Sequence, residues 1–383
     1  QTWTLLDTTE GQFTESWAFD GSSVGWEDLH IHAHRLRGGK REGVDLISVQ
    51  DGDFSWSVIP TRGMNLWKAQ LADWSVGWNS PVQGPVHPHH VPVHEPSGLG
   101  WLDGFDELLA RCGLVSNGAP EFDEDGRLAY PLHGKISNIP ASKVTVSVDG
   151  KNGSVSISGT VLESRFHFSK LQLETTLTSQ RGVPTISIED TISNLSASPA
   201  EAQMLYHLNL GDPVLDGGAQ FNAPVKRLVP RNAHAASSLN SWNNYPAPQP
   251  GIEEQVYFMS MHADEKQKTL ALLKNAHSTH GCCLRYDTTS LPYFSLWKNP
   301  TAFEDGYVTG LEPGTNFPNP RSFEGDHKRF IPLAPGEQAQ LGFTLELLDS
   351  AEAISARDQE IATLQKEGAT QVDAEPAADW CAD

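Results

Sequence analysis

Three short segments place side chains able to exchange protons beside Gly, Pro or Asn at the end of an apolar run. They are "YPLHGKISNIP" (130–140), "QMLYHLNLGDP" (203–213) and "TGLEPGTNFPN" (309–319). The first holds His133, the second His207 and the third Glu312. An imidazole and a carboxylate brought together can act as general acid and base, their pKa values moved by burial and by neighbours. Singly, each has a plainer reading. A His beside a strand is commonly a hydrogen-bonded structural residue, and a Glu flanked by Gly and Pro is commonly a turn carboxylate. Tyr307-Val308-Thr309 reads as a short strand that gives way to a turn around Glu312.

The elements that would position these residues are strands. Val144, Val146 and Val148 alternate with polar residues, "DGKNG" (149–153) turns the chain, and Val155, Ile157 and Val161 resume the alternation. Leu171, Leu173 and Leu177 form the next run, then Ile186, Ile188 and Ile192, and late in the chain Leu341, Phe343, Leu345 and Leu347. Period-two alternation broken by turn residues predicts antiparallel strands with one buried face. Residues 228–251 read as a long surface loop. From Asp349 the period changes: Ile354, Ile361 and Leu364 share a helical face, Asp349 and Glu352 suit the helix start, and Gly368 stops it. The expected organisation is one β-domain over 1–349, a helix over 350–367 packed on it, and a loose tail over 368–383.

Composition narrows the partners. Among 383 residues, 27 Lys+Arg stand against 48 Asp+Glu, a formal charge of −21. A phosphate backbone repels such a surface, so no nucleic-acid partner is expected. No run of 18 apolar residues occurs, so no membrane span is expected. The four cysteines, Cys112, Cys282, Cys283 and Cys381, form no CxxC, and a strand would point the adjacent pair to opposite faces. Cytoplasm is the expected location, with periplasm or secretion the alternative if an upstream signal was removed. The sequence leaves the oligomeric state open.

Taken in order, the three segments resemble the galactose mutarotase-like superfamily, the aldose 1-epimerases and their relatives. The resemblance rests on Leu132-His133-Gly134, on His207-Leu208-Asn209-Leu210-Gly211 and on Leu311-Glu312-Pro313, with Arg111 upstream, and it spans most of 50–345. "VIPTRGMNL" (58–66) is similar to a subgroup apart from the standard aldose mutarotases. The resemblance implies an all-β fold, a large antiparallel β-sandwich (supersandwich) with a C-terminal helix and an open cleft. It implies opening and reclosure of a pyranose by acid/base catalysis without a cofactor, with a small-molecule sugar as partner. Glu312 would be the general base and His207 the general acid. His133, Arg111 and Asn316 would bind the sugar.

The family's loop Asp between the second His and the Glu has no clear counterpart. Glu254, ahead of a short apolar run, is the preferred substitute over Asp264. Lys135 stands where the family often has a second Gly. The apolar face of a pyranose stacks on aromatic rings. Trp297 is the first candidate, with Trp67, Trp78, Trp101 and Trp242 behind it. "VHPHHVPVHEP" (86–96) packs His87, His89, His90 and His94 with Glu95 into one segment that Pro88 and Pro92 should keep extended. Its plainer reading is a polar loop at the rim. A divalent metal held by His207, Glu254, Glu312 and His327 is the alternative to cofactor-free chemistry. With it goes an alternative reaction, epimerisation or elimination on a keto- or modified sugar. A sugar-binding protein without catalysis is the third reading, and it has no need of an acid and a base together.

Overall fold

In a computed structural model describing residues 1–382, the alternating runs become rows of the predicted kind. Val146, Ile157, Leu177, Ile188, Phe343 and Tyr286 lie opposite one another across six successive antiparallel strands. All six are buried in one core. Each Leu or Ile so buried contributes about 1.5–3 kcal/mol through apolar area removed from water. The strands are Lys143–Asp149, Ser154–Ser164, Lys170–Gln180, Val183–Asn194, Gln338–Leu348 and Gly281–Asp287. Thr2–Asp7 and Gln12–Phe13 extend the sheet on one side, Lys268–Lys274 and Gln220–Asn222 on the other, to ten strands.

A fourteen-stranded sheet faces it. Its middle runs Gln255–Met261, Tyr293–Asn299, Val308–Gly314, Ala200–Leu210, Leu109–Leu114 and Asn65–Leu71 in spatial order. Met204, Tyr206, Leu208 and Leu210 point into the core between the sheets. Leu205, His207 and Asn209, on the alternate positions, point the other way. Both faces of this strand are buried, because loops including 99–108 and 315–320 cover its outer side.

Cys282 packs into the inter-sheet core and Cys283 under the helix, on opposite faces as expected, and all four cysteines are free thiols. The helix spans Ala351–Leu364, with Ile354 and Ile361 buried against Leu270, Leu272 and Cys283. Its N-cap is Ser350, whose Oγ accepts from Ala353 N, rather than Asp349.

Two expectations need correction. Residues 228–251 are only partly loop: a strand Val225–Pro230 and a helical turn Ala233–Ala236 occupy the first part. The final segment is not loose. Arg227 bridges Asp373 and Asp379, Gln371–Val372 pairs with 227–228 in parallel, and Trp380 packs on Phe317 at 4.7 Å. One Trp and two Asp anchor it, and such isolated anchors leave no period to read. No helix among the described residues is long and apolar enough to cross a membrane.

Candidate active site

Three strands deliver the chemistry. Leu205 pairs with Gly314 and Leu208 with Leu311, and this register sets His207 opposite Glu312. Ser295 faces Glu312 from the next strand, and Trp297 faces Gly310. The strand therefore runs on through Glu312 to Gly314, and the turn begins only at Thr315. Pro313 has no N–H to give the ladder, and no bridge forms between it and Tyr206. Gly310 leaves space for the pair. A Cβ there would collide with Glu312 Oε1 and come within 3.2 Å of His207 Cε1.

His207 Nε2 lies 3.2 Å from Glu312 Oε1, with both side chains almost wholly buried. Asn209 fixes the imidazole. Its Nδ2 donates to Glu107 O and His207 O, each at 3.0 Å, so its Oδ1 accepts from His207 Nδ1 at 2.6 Å. With the proton on Nδ1, Nε2 is left facing the carboxyl. Burial drives the two groups in opposite directions. It pushes Glu312 well above the usual carboxylate range, helped by Glu254 and opposed by Arg231. It pulls His207 down to about 3, helped by His133. The pair thus shares one proton, which burial places on Glu312.

His133 completes the group. Its Nδ1 donates to Asn117 O at 3.0 Å, and burial pulls its pKa down to about 4. Its backbone is left-handed at φ 56°, a conformation that costs a non-Gly residue about 1 kcal/mol or more. Aromatic rings wall the cluster. From His207, Phe105 is 5.2 Å away, Trp297 5.4 Å and Trp101 6.0 Å, and Trp101 is 4.7 Å from His133. Two buried polar atoms here, Ser295 Oγ and Trp101 Nε1, have no hydrogen-bond partner, and Glu312 Oε1 has only His207 Nε2 beside it. Each such group costs about 1–3 kcal/mol.

The structure thus brings together His133, His207, Glu312 and Trp297. Glu254 is exposed at the rim, where it accepts from Trp297 Nε1 at 2.7 Å. Arg111 is not in the site. It faces Ala110's opposite side, between the sheets, where it pairs with Asp190 at 2.6 Å and also donates to Thr175 and Met64 O. Register decides this: Arg111 lies opposite Tyr206, and Ala110 lies opposite His207. Asn316 is also displaced from sugar contact. It is fully buried in a reciprocal amide pair with Asn117, both bonds 2.9 Å, which steadies the carbonyl holding His133.

The alternative metal set does not assemble. His327 is exposed and bonded to Phe323 O, and no group of three or more His, Cys, Asp or Glu among the described residues has a metal-holding arrangement. The His-rich segment is not fully extended. Pro88–His90 form a helical turn with His87 Nδ1 accepting from His89 N, while His89 and His90 are exposed.

Sequence reasoning passed over Asn209, Phe105, Asn117 and Arg231. Asn209 lay within a quoted motif, two residues from His207 on one strand face, and that spacing was its signal. The "VIPTRGMNL" segment acts from behind the site. Arg62 binds Glu107 at 2.6 Å, Asn138 at 2.6 Å and Gly104 O at 2.9 Å. This fixes the 104–107 loop that supplies Phe105 and the Glu107 carbonyl under Asn209.

Comparison with known proteins bears on the fold and the family. A family model described as Domain of unknown function (DUF4432) matches residues 41–347. The structure of a Klebsiella pneumoniae subsp. pneumoniae protein, provisionally named an aldose 1-epimerase, superposes with TM-score 0.95 at 35% identity, covering 98% of each chain. A galactose mutarotase-like protein from Clostridium acetobutylicum gives TM-score 0.57 at 14% identity, covering 84% of this chain and 99% of that one. An Escherichia coli K12 protein, again provisionally an aldose 1-epimerase, gives 0.51 at 12%, covering 77% and 96%. The latter two share the fold alone. No curated protein matches the chain. The sheets, the order of the three segments and the family match lead to one assignment: the chain belongs to the DUF4432 family, on the galactose mutarotase-like fold.

Proposed function

We propose that the chain is a carbohydrate isomerase of the aldose 1-epimerase type. One observation carries the reading: a buried His207–Glu312 pair, 3.2 Å apart, set among polar atoms lacking partners. Opening a pyranose takes a proton from the anomeric hydroxyl and gives one to the ring oxygen. Reclosing on the other face of the carbonyl reverses both transfers. A pair with one proton and one free lone pair serves both halves without net gain or loss of protons. Moving the proton from Glu312 to His207 Nε2 produces the carboxylate base and imidazolium acid that opening requires, and Asn209 remains bonded to Nδ1 throughout. His133 Nε2 is left to accept from a sugar hydroxyl, since Nδ1 is committed to Asn117 O. Trp297 and Phe105 offer apolar faces to the ring.

The test is anomer exchange of a panel of aldoses and acidic sugars, followed by saturation-transfer NMR. Wild type is expected to exchange at least one of them. Glu312→Gln and His207→Ala are each expected to lower that rate by roughly 10²–10⁴-fold, the range of a lost acid or base. No exchange above background across the panel would sink the proposal.

A further inference from the structure

One charged group near the site has no assigned task. Arg231 follows the strand Val225–Pro230, and its N–H bonds to Val256 O at 3.0 Å. This continues a ladder in which Val229 faces Phe258 and Pro230 faces Tyr257, so Arg231 shares the face of Val256. The row runs on through Trp297 and Gly310 to Asn209. Arg231 therefore leaves the sheet on the outer side, the side of His207 and Glu312. It stands three strands from Gly310, roughly 14 Å at about 4.8 Å per strand. Trp297 lies between them on the same face of the sheet.

Its charge bears on groups from three separate segments, opposing the rise that burial gives Glu312 and Cys381 and adding to the fall of His133. The other arginines that are buried or half-buried are paired with carboxylates, as in Arg35–Asp45, Arg62–Glu107, Arg227–Asp373 and Arg329–Glu324. Arg231 is half-buried, and among the described residues its side chain makes no hydrogen bond or ion pair. The nearby carboxylate Glu254 is instead bonded to Trp297 Nε1. On a chain of formal charge −21, an anionic ligand requires a local cation to hold it.

We propose that this site takes a free sugar carrying an anionic substituent, a carboxylate or a phosphate, and that Arg231 binds that substituent across Trp297 from the Glu312–His207 pair. The orientation rests on the isomerase reading above. The binding claim is separable from it. A guanidinium suits either anion through paired N–H donors.

The test titrates galactose and glucose, their uronates and their 6-phosphates into wild type and Arg231→Gln by ligand-observed NMR, with anomer exchange read in the same samples. Wild type is expected to bind at least one acidic sugar about tenfold or more tighter than its neutral parent. Arg231→Gln should lose about that factor, and Arg231→Lys should lose less, because it keeps the charge without the fork. The uronate and phosphate arms tell which anion is preferred. Equal affinity for acidic and neutral sugars, unchanged acidic-sugar affinity in Arg231→Gln, or no binding at all would overturn the proposal. Tight, Arg231-dependent binding without exchange supports it and removes the isomerase reading alone.

Discussion

Tyr206 and His207 are neighbours in one strand, and each belongs to a buried cluster of ionisable groups on its own face of the sheet. The inner cluster is saturated. Arg111 donates to both oxygens of Asp190, to Thr175 and to Met64 O, and Tyr206 donates to Asp190 at 2.9 Å. The outer cluster is not: Ser295 Oγ and Trp101 Nε1 have no hydrogen-bond partner, and Glu312 Oε1 meets only His207 Nε2, at 3.2 Å. Both are deep in the protein, so burial does not separate structure from chemistry here. Completeness of bonding does. A buried cluster with every donor and acceptor used is fixed, whereas one with capacity left over is free to bond a ligand.

Breaking the inner cluster should have the largest effect. Arg111→Met strands the Asp190 carboxylate and is expected to cost about 3–5 kcal/mol of unfolding free energy by urea titration. Replacing Asp190 with Leu in the same chain should recover most of that loss. A double variant as unstable as the single would show that shape, not charge, is what this cluster supplies.

Acid should act chiefly on the outer cluster. His133 has a folded pKa of about 4 against the ordinary 6.5, because burial disfavours its cation. Between those values the unfolded chain binds more protons, so stability is full above pH 6.5 and falls as pH drops toward 4. His133 keeps some solvent contact, so its share of the loss is expected to be about 2 kcal/mol. His207, lowered further, steepens the same slope. Unfolding followed at successive pH values should show a shallower slope for His133→Gln. An unchanged slope would place the acid sensitivity elsewhere.

The smallest effect has the opposite sign. Burial raises the folded pKa of Glu312, so at neutral pH folding forces a carboxyl that would rather ionise in water to stay protonated. Glu312→Gln removes that penalty and is expected to gain about 1 kcal/mol at pH 7, in the range of stabilising changes at strained functional positions. A loss of several kcal/mol instead would class Glu312 with Arg111 as part of the framework.

These contrasts also explain what the sequence made legible. The ten-stranded sheet announced itself where one of its faces is solvated, so Val144–Val148 and Ile186–Ile192 alternate openly. The strands carrying the site are covered on both faces, so Ala200–Leu210 shows no such alternation. His207 and Glu312 were legible only through the short motifs around them. Arg111 was misplaced by one position of strand parity, which spacing along the chain cannot fix. Asn316, which the resemblance implied as a sugar ligand, has its amide used up by Asn117, a pairing 199 residues away that spacing along the chain does not show. Arg231 escaped notice because its neighbours across the sheet, Val256 and Trp297, are 25 and 66 residues downstream.

The Ala200–Leu210 strand carries two interleaved texts, one on its even positions for the core and one on its odd positions for the site. Over generations, each text can drift by substitution without disturbing the other. Loss or gain of a single codon inside the strand is different: it would trade Tyr206 for His207 on both faces at once. This strand should therefore tolerate exchange of its letters far better than any change in its length.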